Sequence, residues 1–147
     1  MKKIFISSDH AGYNLKEQIK KKFKRKYFFE DLGTNDSNIS VNYPDYAHKL
    51  CRKVSNNSKN MGILVCGSGM GMSMAANKHK KIRAAVCYSI KNTKLSRLHI
   101  PIITNPGSIS WQNICQLMDQ FGLPITLNII MRLMVVKKIE YIWLHVF

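Results

Sequence analysis

Acidic side chains are scarce in this chain: Asp and Glu together number 8 against 23 Lys and Arg, a formal charge of +15. So basic a balance raises the question of a polyanionic partner. Two features of the sequence argue against nucleic acid. Much of the charge is local to Lys16–Lys26, where Leu15, Ile19 and Phe23 recur every four residues. That period predicts a helix with a buried apolar stripe and its lysines on an outer, solvated face. Exposed aromatics interleaved with the basic residues are missing, as is any recognisable nucleic-acid module. Such a field steers small anionic substrates instead.

Long apolar runs are also lacking. No uninterrupted apolar segment reaches the roughly 20 residues that cross a bilayer, so no membrane partner is expected. The apolar stretch behind Lys2 and Lys3 is only a few residues long, too short for the core of a signal peptide. The four cysteines, Cys51, Cys66, Cys87 and Cys115, have neither paired short spacing nor histidines at metal-finger distances. A disulfide framework and a zinc site are therefore not expected, and a reducing, cytoplasmic location fits. The 147 residues suit one domain with a sizeable core.

What is present is concentrated in Met61–Lys78, MGILVCGSGMGMSMAANK. Met61 to Val65 is a short apolar run with β-branched residues, the pattern of a fully buried parallel strand. It ends at Cys66. Gly67, Ser68, Gly69, Met70 and Gly71 follow, and Met72 to Asn77 are good helix formers. A strand feeding a helix through glycines makes an anion cradle, because the backbone turns sharply while free amides and the positive helix end face the ligand. The spacing matches neither the dinucleotide fingerprint nor a P-loop, since no Lys-Ser/Thr follows. What stands beside the cradle is a thiol, and the same amides are expected to favour its thiolate.

Along the rest of the chain, Lys2 to Ser7 reads as a first strand and Ser8-Asp9-His10-Ala11-Gly12 as the loop into the basic helix. Tyr27 to Leu32 is a second strand. Pro44 to Ser55 is a helix, with proline in its first turn and Ala47, Leu50, Cys51 and Val54 on one face. Ile82 to Val86 is a further strand, Ile90 to Leu98 a helix and Ile100 to Thr104 a fifth strand. Strands alternating with helices at this spacing imply βαβ units and a parallel sheet. Ligands of such sheets bind outside the carboxyl ends of the strands, which puts Asp9 and His10 on the same edge as Cys66.

Five segments, SSDHAGYNLK, NYPDYA, GILVCGSGMGMSMAANK, IRAAVC and KLSRLH, together resemble the type B ribose-5-phosphate isomerases and their galactose-6-phosphate isomerase relatives, across residues 1–99. The resemblance implies a Rossmann-like three-layer α/β/α sandwich with a parallel sheet of about five strands. It also implies a homodimer with active sites at the subunit interface, and aldose–ketose isomerisation of a sugar phosphate without metal or cofactor. Ribose 5-phosphate and ribulose 5-phosphate are the expected pair. Cys66 resembles the base that moves a proton between neighbouring carbons, and the amides of Gly67, Ser68, Gly69, Met70 and Gly71 the cradle of the enediolate oxygen. Asp9 resembles the residue that holds substrate hydroxyls, His10 one that meets the phosphate, and Tyr43 part of the pocket wall. His99 resembles the acid-base group that opens the sugar ring, reaching in from the other subunit.

Past His99 the resemblance gives way. Ile109 to Phe121 still looks like the penultimate helix, without its expected arginine, and from Gly122 the text matches nothing in the family. The expected organisation is an isomerase domain over 1–121 and an atypical tail over 122–147. The tail has either diverged or been read in a shifted frame. If the first valine codon of Met134-Val135-Val136 is GTG, reading from the third base of the methionine codon gives Gly-Gly, as in the family's C-terminal segment. Either way the family's phosphate-holding arginines lack a counterpart: Arg97 is not one of that clamp and Arg132 lies in the tail. Bidentate arginines neutralise a phosphate dianion better than other side chains. A weak or inactive sugar-phosphate isomerase is expected, and a non-catalytic sugar-phosphate or nucleotide binder of the same descent is the alternative.

Overall fold

A computed structural model of the chain describes residues 1–57, 60–80, 82–87, 89, 91–93, 95 and 132–138, the last as backbone. In chain order the elements are β1 (Lys2–Ser8), α1 (Tyr13–Phe23), β2 (Tyr27–Asp31), α2 (Tyr43–Ser55), β3 (Met61–Cys66), α3 (Met70–Asn77), β4 (Ile82–Cys87) and β5 (Arg132–Lys138). They build one sheet in the order β2-β1-β3-β5-β4. β1 pairs in parallel with β2 and with β3.

The α/β architecture is the one the resemblance implies, with one addition. β5 lies between β3 and β4 and runs antiparallel to both, so β4 points the same way as the first three strands. The strand that completes the sheet among the described residues thus comes from the tail. The fifth strand expected over Ile100 to Thr104 and the penultimate helix over Ile109 to Phe121 lie outside the described residues. Of the helix expected over Ile90 to Leu98, residues 91–93 and 95 are described, and they are helical.

Strand alternation divides the interior into two cores. Ile4 and Ile6 of β1 and Met61, Ile63 and Val65 of β3 pack with Leu15, Ile19 and Phe23 of α1. Phe5, Leu64 and Cys66 face the other way, onto Leu50, Cys51 and Val54 of α2 and Met72 and Ala76 of α3. β3 is buried at every position, which is why it carries no polar side chain. Gly62 admits α2, since a Cβ there would stand 2.5 Å from a methyl carbon of Leu50. Truncating a buried leucine such as Leu50 to alanine costs about 2–5 kcal/mol in a core of this kind.

The basic helix departs from expectation at one residue. Lys16 is fully buried, not on the solvated face. Its Nζ lies 2.8 Å from Asp31 Oδ2 and donates to the Thr34 carbonyl at 2.6 Å. A buried ammonium is tolerated only when paired and hydrogen-bonded, and this one ties α1 to the end of β2 and to the loop beyond. Lys21, Lys22 and Lys24 remain exposed as predicted. No helix among the described residues is long and apolar enough to cross a membrane.

Candidate active site

The site grows from the carboxyl ends of β1 and β3. These strands pair in register up to Ser8 opposite Val65, so Asp9 and Cys66 are the next residues along two adjacent strands. Both are buried, Asp9 to 5% exposure and Cys66 to 7%. Asp9 Oδ1 accepts the Gly12 amide at 2.8 Å, which curls the loop back beneath the start of α1.

After Cys66 the chain turns through Gly67 and Ser68 and enters α3 at Gly69, whose φ of 75° lies in the left-handed region. An L side chain there would be strained, so glycine is required by the turn itself. The Ser68 Oγ accepts the Met70 amide at 3.3 Å. Ser68 and Met70 are exposed, Gly67 and Gly71 partly buried and Gly69 buried. Tyr43, at the start of α2, lays its ring over Gly71: a Cβ at that glycine would sit 2.7 Å from the ring carbons.

His10 is held by the loop that follows β2. The Val41 amide donates to His10 Nδ1 at 3.3 Å, which leaves the ring proton on Nε2. That loop is fixed in turn by the Thr34 amide, which donates to the Ser8 carbonyl at 3.1 Å, and by Lys16 on the Thr34 carbonyl. Six predicted features thus meet at one edge: Asp9, His10, Tyr43, Cys66, the Gly67–Gly69 turn and the start of α3. His99 lies outside the described residues.

The sequence-based expectation of a readily formed Cys66 thiolate is not met. Burial pushes the Cys66 thiol up, and Asp9 adds to that through its negative charge and by accepting the thiol proton. The amides of Gly69 and Ser68 hydrogen-bond the sulfur and pull the other way, but they do not prevail. The cradle is present; desolvation outweighs it. Cys51 and Cys87 are free and buried as well. Burial drives Cys51 up to about 12, which makes it an inert core residue.

Two features had no signal in the sequence. Lys16 sits one residue from the apolar stripe and reads as another surface lysine. His48 Nδ1 and His79 Nε2 meet at 2.7 Å between α2 and the turn after α3, though 31 residues separate them. Among the described residues no three His, Cys, Asp or Glu side chains gather as metal ligands would.

Fold and edge together define an α/β protein with a buried thiol, a buried carboxylate and a glycine turn gathered at the carboxyl ends of its strands. Known proteins narrow the class. The sequence model of the family described as Ribose/Galactose Isomerase matches residues 4–105, and the chain belongs to that family. The "Probable ribose-5-phosphate isomerase B" of Mycoplasma genitalium is 47% identical over 98 residues, which cover 65% of this chain and 64% of that protein. The match spans a little under two thirds of the relative's own length. Among solved structures, the Clostridium thermocellum ribose-5-phosphate isomerase B is 44% identical over 66% of each chain, with a TM-score of 0.59. A ribose 5-phosphate isomerase from Thermotoga maritima is 39% identical and covers 82% of this chain and 86% of its own, with a TM-score of 0.65. That likeness runs past the point where the sequence motifs end.

Proposed function

We propose that this chain is a cytoplasmic sugar-phosphate isomerase that interconverts an aldose phosphate and its ketose, with ribose 5-phosphate and ribulose 5-phosphate as the pair. The observation that carries this reading is the placement of buried Cys66 against Asp9 at the head of a left-handed glycine turn. Moving a carbonyl from C1 to C2 needs a base that takes a proton from the carbon beside the carbonyl and returns it to its neighbour. Cys66 is that base. The amides beyond it hold the enediolate oxygen as negative charge develops there.

Asp9 holds substrate hydroxyls, His10 presents its Nε2 proton to the phosphate, and Tyr43 closes the wall over Gly71. His99 opens the ring from a second copy of the chain, so the working unit is a homodimer. Lacking the family's arginine clamp, the phosphate is held by His10 and nearby lysines. Phosphate binding energy orients the reacting carbons, so a weak clamp lowers turnover together with affinity.

The test is ribose 5-phosphate conversion by the purified chain beside Cys66→Ala. Turnover in the parent and its loss in a folded Cys66→Ala variant supports the reading. Saturable binding of ribose 5-phosphate by the parent without any conversion overturns it in favour of a sugar-phosphate binder.

A further inference from the structure

Lys16 is fully buried on the first turn of α1, and its ammonium faces three oxygens: the Thr34 carbonyl at 2.6 Å, Asp31 Oδ2 at 2.8 Å and Glu17 Oε1 at 3.4 Å. Its three N–H bonds are matched within the fold, so it is not held ready for a ligand. Asp31 does not depend on it alone, because the Lys20 ammonium and the Gly33 amide reach the same carboxylate. What Lys16 adds is a donor for the carbonyl of buried Thr34.

The two segments that this bond joins both lead to His10. On one side α1 grows directly out of the Asp9–His10 loop: the Tyr13 amide donates to the His10 carbonyl at 3.3 Å and the Lys16 amide to the Gly12 carbonyl at 3.0 Å. On the other side Thr34 stands early in the loop that runs to Val41, whose amide donates to His10 Nδ1 at 3.3 Å. The Thr34 amide donates to the Ser8 carbonyl at 3.1 Å, and its hydroxyl accepts the Asp36 amide at 3.3 Å. Beyond these anchors the chain runs over the surface, with Asn38, Ile39 and Ser40 exposed, before it reaches Val41.

We propose that Lys16 is a positioning residue for the phosphate end of the site: by holding Thr34 against α1 it keeps the Val41 amide on His10 Nδ1, and so keeps the ring proton on Nε2. This rests on the reading of His10 as the side chain that presents that proton to the phosphate. A neutral imidazole carries its proton on either nitrogen, and a donor at one nitrogen selects the tautomer protonated at the other. An exposed loop delivers such a donor reliably only when it is tied to buried groups, and Thr34 is where this loop is tied. Lysine suits the task because its compact ammonium serves oxygens in different directions, whereas a guanidinium is a planar fork.

Lys16→Met tests the proposal, because the stem still fills its place while Asp31 keeps Lys20 and Gly33. Two quantities are read by NMR on the full chain, with the His10 signals assigned by their absence in His10→Gln. The first is the His10 tautomer, from two-bond nitrogen–proton correlations in mildly alkaline solution, where imidazoles are neutral. The second is the affinity for ribose 5-phosphate and for inorganic phosphate, from the displacement of the same signals. In the parent the Nε2–H form should dominate and both anions should move its signals. In Lys16→Met the Nδ1–H form should appear beside it and both affinities should fall about tenfold, the worth of one charge-assisted hydrogen bond. Asp31→Asn keeps the Lys16–Thr34 bond and an acceptor for Gly33, so it should lose stability and retain the parent's tautomer and affinities. Lys16→Gln, which keeps a donor on a shorter stem, should fall between Lys16→Met and the parent, and it carries both measurements if Lys16→Met does not fold.

A folded Lys16→Met with the parent's tautomer overturns the proposal. The same tautomer change in Asp31→Asn also overturns it, since the change would then follow from lost stability. A changed tautomer with unchanged affinities refutes the role of His10 at the phosphate, and a parent whose His10 signals ignore both anions refutes it too. The tautomer measurement needs no ligand, so it tells that failure apart from failure of the Lys16 brace.

Discussion

Two carboxylates stand at the carboxyl ends of neighbouring strands, Asp31 closing β2 and Asp9 one residue past β1, and the chain treats them in opposite ways. Asp31 receives the buried Lys16 ammonium at 2.8 Å, the Lys20 ammonium and the Gly33 amide at 2.9 Å. Burial alone would raise its pKa, but the hydrogen bonds from Lys16, Lys20 and Gly33 outweigh it and hold the carboxyl below the ordinary 3.8. Asp9 is buried more deeply, at 5% exposure, and accepts the Gly12 backbone amide. In a chain so rich in lysine, a buried carboxylate without an ion pair among the described residues fits the proposed place of Asp9 in the site rather than a role in tying elements together.

The comparison is broken most directly at Asp31. Asp31→Asn leaves Lys16 buried without its main counter-charge and should lower stability by about 3 kcal/mol in urea denaturation. Replacing both partners, Lys16→Met with Asp31→Leu, should recover most of that loss. If the single variant stays within about 1 kcal/mol of the parent, Asp31 is not the compensating charge. Gly69→Ala comes next. It forces an L residue to a φ of 75° and should cost about 1–2 kcal/mol, while loosening the amides around Cys66.

Asp9→Asn should alter stability least of the three, by under about 1 kcal/mol, because its amide oxygen replaces the acceptor for Gly12. A larger loss would make Asp9 a structural residue like Asp31 and erase the contrast. Acid titration sharpens the picture further. Because Asp31 titrates low in the folded chain, its stabilisation is complete above the unfolded value near 3.8 and is lost as pH falls through the folded value.

A smaller acid effect precedes it. Burial lowers the His79 pKa, and the charges of His48 and Arg52 lower it further below 6.5, so the folded chain prefers a neutral ring. Stability should therefore decline as pH falls from about 6.5 towards the folded value, because the unfolded chain takes up the proton first. His79→Gln should flatten that shallow decline in a series of thermal melts and leave the carboxylate transition in place. A decline that persists in the variant would assign it to another group.

Much of this arrangement was legible in one dimension. The strand boundaries, the glycine turn and the placement of Asp9 beside Cys66 follow from hydrophobic period, glycine spacing and the rule for strand ends. Other features depend on distance in space between residues far apart in sequence. Lys16 reads as a surface lysine until β2 brings Asp31 to it. The acidity of Cys66 is not legible in the sequence, because its amides are neighbours along the chain, whereas burial and the charge of Asp9 come from the fold. The pairing of β5 with β3 and β4 gave no sign at all, since Arg132–Lys138 alternates in no way that names its partners.

The position of β5 has a consequence for how the chain is made. β1, β2 and β3 can assemble as soon as residues up to Cys66 have emerged from the ribosome, and β4 follows shortly after. The slot between β3 and β4 is filled by a strand beginning only at Arg132. During synthesis at about 5–20 residues per second, two backbone edges in the middle of the sheet wait for several seconds without their final partner. An interval of that kind invites pairing with another nascent chain, so the yield of folded protein should depend on how crowded its own polysomes are.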